Sequence, residues 1–352
     1  MQASYFKIMN DNATQTEQKS FCYANGLVSA LSLALLTSDK LLQLAQSPSL
    51  ADALKFLRET KFGAGKSVEN PEDFEQLLQT EWESVTEFIS AQSAQKAATD
   101  CFLLAHDIHN LKVLTKQKYL RLTESGVPLL RGVYPVQSLT TSVLQDDYSA
   151  LPKEIAQGLE DIDKQFYLGN RKPSVIDALL QKAYYKTVTR LLKSCKSPQL
   201  KAYFTIEIDC KNILSLLRIK KHGLTKDALS LMFIADGALP RKLFDALYAA
   251  PADGISALFD AEEAYQPYRD FIKTALAEYK NNLPFTQTEL LYVDMQNKII
   301  VPHKSDVDGI LPLIQYYLAK KTEIDNLRLI VVCIKNRIAQ NEIIKRLRKV
   351  YV

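Results

Sequence analysis

Asp107-Ile108-His109-Asn110-Leu111, read on its own, is a polar pair set into an apolar helix, and its pattern returns twice: Asp209-Cys210-Lys211-Asn212-Ile213 and Glu323-Ile324-Asp325-Asn326-Leu327. In each copy an acid stands three residues before an Asn. An apolar or small residue lies two before that Asn (Ile108, Cys210, Ile324). Apolar residues follow at one and four after it: Leu111 and Leu114, Ile213 and Leu216, Leu327 and Ile330. On an α-helix these offsets draw one apolar stripe, while the acid and the Asn share a second face.

Around these copies the rest of the chain reads as amphipathic helix. Leu41-Leu42-Gln43-Leu44 runs toward Ala53-Leu54-Lys55-Phe56-Leu57, with a break at Ser47-Pro48, where proline lacks the donor a helix interior needs. Asn70-Pro71-Glu72-Asp73 is a helix start, continued by Trp82, Val85 and Ile89 at helical spacing. A second echo links Leu41–Leu54 with Leu243–Gly254: both are helix–proline–helix stretches that precede an Asn-bearing helix. Pro128, Pro135 and Pro152 cluster at one junction, and Gly237-Ala238-Leu239-Pro240 marks another. The stretch 290–302 reads equally well as a strand pair or a helix. The expected fold is therefore all-α, made of three degenerate helical-bundle repeats at 1–127, 128–236 and 237–352. One such unit cannot bury its apolar face alone.

Composition agrees. Glycine is scarce, 11 in 352 residues, which disfavours a hairpin-rich β protein. The five cysteines are scattered and form no CxxC, so neither a disulfide framework nor a zinc ribbon is expected, and a reducing compartment fits. There is no signal-peptide-like start and no long uninterrupted apolar run, so a cytosolic protein is expected, at most held at a membrane through partners. Net charge is +4 but uneven: residues 1–100 carry 8 basic and 13 acidic side chains, residues 301–352 carry 10 and 5. Lys345, Arg346, Arg348 and Lys349 form the densest basic cluster. It reads either as cations matched to a helix C-terminus or as a docking surface for an acidic partner. No aromatic-interleaved basic stripe points to nucleic acid.

Motifs that would carry chemistry are incomplete. Gly63-Ala64-Gly65-Lys66-Ser67 resembles the end of a phosphate loop, but Thr60 occupies a required glycine position and a helix, not a strand, precedes it. His106 and His109 could share a helical face, yet His222 and His303 are distant in sequence, and zinc needs three or four ligands. No catalytic residue, metal or cofactor is expected. The pairs Asp107 and Asn110, Asp209 and Asn212, and Glu323 and Asn326 either satisfy backbone groups where helices of a repeat meet or line a shared opening and touch a partner.

With these residues in hand, the chain resembles the C subunit of archaeal and bacterial A/V-type rotary ATPases, and is similar to the d subunit of the vacuolar ATPase. The resemblance runs from Tyr23-Ala24, Leu27-Val28 and Ala30-Leu31 through Asp107, His109-Asn110-Leu111-Lys112, Leu114 and Lys116. It continues in Tyr316-Tyr317-Leu318, Lys320-Lys321, Glu323, Asn326-Leu327-Arg328, and ends in Glu342-Ile343-Ile344, Arg346-Leu347 and Val350-Tyr351-Val352. The family usually carries an Arg just after the Tyr-Ala pair, where this chain has Gly26 and Ser29. The resemblance implies a pseudo-threefold funnel of helical bundles on the cytoplasmic face of a proteolipid ring. The central-stalk subunits D and F would plug into it, and the chain would be a non-catalytic rotor part that couples ATP turnover to proton or sodium transport. A helical-repeat scaffold holding a protein or peptide in a concave surface is the alternative from another class.

Overall fold

The structure is a computed structural model that describes residues 20–60, 62–65, 71–121, 127–195 and 197–351. Among these residues the fold is all-α. The helices are α1 (Phe21–Ser32), α2 (Ser38–Ala45), α3 (Leu50–Arg58), α4 (Pro71–Gln92), α5 (Lys96–Leu120), α6 (Val136–Gln145), α7 (Lys153–Tyr167) and α8 (Pro173–Cys195). They continue with α9 (Pro198–Lys221), α10 (Lys226–Met232), α11 (Arg241–Ala249), α12 (Ala252–Asp260), α13 (Arg269–Lys280), α14 (Thr286–Ile300), α15 (Leu311–Lys335) and α16 (Gln340–Ile344). The three acid–Asn motifs sit on α5, α9 and α15, each about 24 residues long and thus roughly 36 Å from end to end.

Local chemistry explains most boundaries. The chain leaves α2 before Pro48 and re-enters helix at Leu50. There the Ser49 hydroxyl accepts from the Asp52 N–H at 3.2 Å and bonds the Asp52 carboxylate at 2.5 Å, sealing the first turn. Thr37 caps α2 and Ser197 caps α9, and Pro198 occupies the first turn of α9, where its missing donor costs nothing. Pro71 opens α4; Asn70, read as its cap, lies outside the described residues. The ambiguous stretch 290–302 is helical: α14 runs to Ile300, and Val301–His303 form one 3₁₀ turn. Its start is fixed from another helix. Glu278 accepts from the backbone N–H groups of Gln287 and Thr288, at 2.8 and 3.1 Å, and from the Thr288 hydroxyl at 2.5 Å, so a remote carboxylate meets the orphan donors of α14.

Two compact units partition the chain. One is Met1–Thr99 with Ile300–Val352, the other Asp100–Ile299. In the first, Ile324, Leu327, Ile330, Val331 and Cys333 of α15 pack against Leu41, Leu44, Leu54, Leu57, Phe74 and Leu78 from α2, α3 and α4, with Ile343 of α16. In the second, Cys210, Ile213, Leu216 and Leu217 of α9 pack against Leu243, Phe244 and Leu247 of α11, Ile255 and Phe259 of α12, and Phe271, Ile272 and Ala275 of α13. The apolar stripe is fully buried on α9 and α15. On α5, Ile108 and Leu111 are buried but Leu114 is only half-buried, and the neighbouring Thr115 is the buried residue. Elsewhere in the second unit α7 buries Ile155, Leu159, Ile162 and Phe166 and lies close against α8: a Cβ on Gly158 would sit 2.9 Å from that of Ala183.

The burial pattern sets an expectation for α15. Leu327→Ala should lower unfolding free energy by roughly 2–5 kcal/mol, because Leu327 lies in the first unit's core. Val332→Ala, on the exposed face, should change it by less than about 0.5 kcal/mol. Urea denaturation of the two variants compares them directly; equal losses would contradict this assignment of faces.

Candidate functional site: three acid–asparagine clamps

On α5, Asn110 binds both backbone groups of one residue. Its Nδ2 donates to the Leu130 carbonyl at 2.7 Å, and its Oδ1 accepts from the Leu130 N–H at 2.8 Å. One turn earlier, Asp107 accepts from the N–H groups of Val133 at 2.8 Å and Tyr134 at 3.3 Å. The two histidines work on the same segment: His106 Nδ1 lies 2.6 Å from the Arg131 carbonyl and His109 Nε2 3.2 Å from the Pro128 carbonyl. Four side chains of one helix thus hold a non-helical run from 128 to 134. The spacing of three that puts both imidazoles on one helical face serves two carbonyl acceptors.

On α9 the device repeats. Asn212 exchanges both bonds with Ile234, each at 2.8 Å. Asp209 accepts from Ala238 and Leu239 N–H at 3.0 and 3.1 Å, and from the Tyr268 hydroxyl at 2.5 Å. A glycine makes each approach possible. A Cβ at Gly132 would lie 2.2 Å from Asp107 Oδ1, and one at Gly237 would lie 2.2 Å from Asp209 Oδ1. Each clamped run then ends in a proline, Pro135 or Pro240, which stands at the N-cap of the next helix, α6 or α11. The recurrence Gly-x-x-Pro was present in the sequence at both junctions; its link to the acids needed the fold.

On α15 the same pair holds two pieces of chain. Asn326 exchanges both bonds with Arg348, each at 2.9 Å, whereas Glu323 accepts from the N–H of Leu36 at 2.6 Å. Leu36 is followed by Thr37, the N-cap of α2, just as Tyr134 and Leu239 are followed by the capping prolines. The run that is continuous in the first two clamps is here assembled from segments near both chain ends. The acid is longer, and its second oxygen lies 2.7 Å from Lys320 Nζ. Lys320 also pairs with Glu81 at 3.1 Å and lies 4.7 Å from the Phe62 ring centre. This triad of buried Lys320 and Glu323 with half-buried Glu81, a residue set that single-copy motif reading missed, stands where the other copies have the glycine-lined contact.

All six motif residues are buried, so their polar atoms are spent inside the units. The basic cluster is not: Lys345, Arg346 and Lys349 are exposed and Arg348 half-buried. Lys345 pairs with Glu342 at 2.8 Å, and Arg348 with Asp325. The structure therefore gathers Arg348 to the third clamp and leaves the other cations outward. Gly63 to Gly65 lie in the 3₁₀ turn Phe62–Gly65 after α3, while Lys66 and Ser67 lie outside the described residues.

Burial shapes the acids' ionisation. It pushes Asp107 up to about 7, against the pull of the Val133 and Tyr134 N–H groups. Burial likewise raises Asp209, with the Tyr268 hydroxyl and two N–H groups opposing it. For Lys320, burial disfavours the charge, but Glu323 and Glu81 outweigh it and the net shift is upward.

Two expectations follow for the clamps. Gly132→Ala and Gly237→Ala should each destabilise by roughly 1–3 kcal/mol, as overpacking does. Gly26→Ala on α1, where a Cβ meets nothing within 4 Å, should stabilise by about 0.5–1 kcal/mol. Thermal or urea unfolding separates them, and a neutral Gly132→Ala would sink the close-approach argument. The second concerns pH. Folded Asp107 holds its proton far above the ordinary 3.8, so folding takes up a proton between those values. The Asp107 contribution to stability is therefore greatest below about pH 4, declines as pH rises to about 7, and is flat above. Relative to Asp107→Asn, the wild type should lose stability between pH 4.5 and 7. Urea midpoints of both proteins across that window check it; a constant difference would contradict the assignment.

Comparison with known proteins supplies the family. The family model described as "ATP synthase (C/AC39) subunit" matches residues 24–346. The chain is 21% identical to the C subunit of the V-type sodium ATPase of Enterococcus hirae over 330 residues, covering 93% of this chain and 98% of that one. It is 22% identical to the C subunit of the A-type ATP synthase of Pyrococcus furiosus, covering 92% and 89%. It is 24% identical to the C subunit of the V-type ATP synthase of Thermus thermophilus, covering 60% and 67%. With clamps from all three copies inside or bordering the matched span, this chain belongs to the ATP synthase (C/AC39) subunit family, the C subunits of V/A-type rotary ATPases.

Proposed function

We propose that the chain is the non-catalytic rotor component that joins the central shaft, subunits D and F, to the proteolipid ring of a rotary ATPase. Three helical bundles, 1–127, 128–236 and 237–352, form a pseudo-threefold funnel that receives the shaft, and the body sits on the cytoplasmic face of the membrane. The observation that carries this reading is the family match over residues 24–346. It is supported by the three clamps, which tie non-helical backbone to long central helices with buried bonds that salt does not screen. A part that transmits torque needs such internal stiffness. No helix among the described residues is long and apolar enough to cross a membrane, and in this reading the chain meets the membrane sector from outside it.

In this role the six clamp residues keep the socket's shape, and contacts with D and F fall on other faces of α5, α9 and α15. The exposed cations Lys345, Arg346 and Lys349 add a weaker, salt-sensitive attraction. Removing the chain from a reconstituted complex should abolish ATP-driven ion uptake into vesicles while hydrolysis by the head persists. Full uptake without it would overturn the coupling role. Neutralising Lys345, Arg346 and Lys349 should loosen assembly only at low salt.

A further inference from the structure

The tip between α7 and α8 presents two apolar side chains that the fold does not use. Tyr167 is 92% and Leu168 76% exposed, directly after Phe166, which is buried. The turn beneath them is complete without them. The Leu168 N–H donates to the Lys164 carbonyl at 3.0 Å, the Gly169 N–H to Phe166 at 3.1 Å and the Asn170 N–H to Gln165 at 2.9 Å. Gly169 takes a left-handed conformation, φ 89°, as this kind of helix end requires. Such a turn commonly packs one apolar residue across itself. Here the bracing contact is polar, Asn170 Nδ2 to Gln165 Oε1 at 3.0 Å, so Tyr167 and Leu168 are held outward on a rigid, convex support.

Cations flank them. Lys164 precedes the pair, its side chain 65% exposed and only 3.5 Å from Asp161. Arg171 and Lys172 follow, both exposed and without a carboxylate partner among the described residues. The nearest acid on α7, Asp163, accepts from the Tyr119 and Tyr148 hydroxyls, and Asp161 and Glu160 lie further back along the helix, each residue adding about 1.5 Å.

We propose that this tip is a contact for an anionic lipid surface, with Tyr167 and Leu168 entering the headgroup region and Lys164, Arg171 and Lys172 facing lipid phosphates. Charge complementarity selects an anionic surface. Area selects a bilayer over a folded protein, since a specific protein interface buries roughly 1,200–2,000 Å², beyond the reach of two side chains on a convex turn. Tyrosine suits a boundary where one end is apolar and the other wet. Lysine and arginine stems can lie along acyl chains with their charge in the headgroups. The inference stands apart from the rotor reading, because it is tested on the isolated full chain.

The test is flotation with vesicles of equimolar phosphatidylcholine and phosphatidylglycerol, and with phosphatidylcholine alone, at low and high salt. The chain should float with the anionic vesicles only. Arg171→Glu with Lys172→Glu should reduce binding about tenfold or more, and Tyr167→Ser with Leu168→Ser should remove the fraction that survives high salt. A Lys345→Gln, Arg346→Gln, Lys349→Gln variant controls for general basicity and should bind as the wild type does. An environment-sensitive dye on Leu168→Cys, in a Cys22→Ser background because Cys22 is exposed and the other cysteines are buried, should shift to the blue with anionic vesicles. Absence of wild-type flotation, unchanged binding by the tip variants, or loss confined to the C-terminal variant would each overturn the proposal. A dye that responds to an acidic polypeptide but not to vesicles would do so in favour of a protein partner.

Discussion

A peptide group taken out of water must find a partner, and non-helical backbone cannot supply its own. In this fold one arrangement answers that constraint repeatedly: an Asn that exchanges two bonds with a single residue, and an acid one turn earlier that collects N–H groups further along. The consequences spread outward. A glycine stands where the carboxylate comes within 2.2 Å of a would-be Cβ. A residue suited to starting a helix, Pro135, Pro240 or Thr37, follows the acid-held N–H. The short amphipathic helices α2, α6 and α11 then leave the clamp and carry their apolar faces back to the bundle core.

The third copy shows how the arrangement tolerates a cut in the chain. Leu36 and Arg348 are far apart in sequence yet are held one turn apart on α15. Without the close-approach glycine, the acid is Glu rather than Asp, and it receives one N–H rather than two. The remaining oxygen is met by Lys320, which brings Glu81 with it. Removing the lysine from such a triad would leave the buried Glu323 carboxylate without its counter-charge, which is costly. The replacement thus meets the second oxygen with a charge rather than an N–H, and α15 is joined to segments near both ends of the chain and to α4.

Much of this was legible. The offsets around Asn110, Asn212 and Asn326 placed the motifs on long helices and gave the buried stripe at Cys210, Ile213 and Leu216. They overstated it at Leu114, where the first copy turns Thr115 inward instead. Pro48 and Pro71 marked boundaries because proline's missing donor acts locally. What stayed hidden was non-local. The start of α14 depends on Glu278, nine residues upstream on another helix, so the stretch 290–302 looked as much like strand as helix. The spacing of His106 and His109 identified a shared face but not the Arg131 and Pro128 carbonyls that lie opposite it. The Gly-x-x-Pro runs were visible as breaks, while the reason for each glycine, a carboxylate pressed against its backbone, exists only in the folded chain.

The clamps also separate two kinds of polar contact within one protein. Asp107, Asn110, Asp209, Asn212, Glu323 and Asn326 are buried, and their bonds run to backbone in surroundings of low dielectric, where they are strong and little affected by ions. Lys345, Arg346, Lys349, Arg171 and Lys172 are exposed, and their attractions weaken as salt rises. A body built this way keeps its internal shape across ionic conditions while its surface contacts tighten or loosen. For a member of a rotary-ATPase family that division is useful. In the rotor role proposed above, internal stiffness would have to be constant for torque to pass through the molecule, whereas contacts with neighbours would have to form during assembly. In that proposed role the repeated acid–Asn pair would serve assembly only indirectly, because its buried bonds hold backbone inside the units rather than reach the surface.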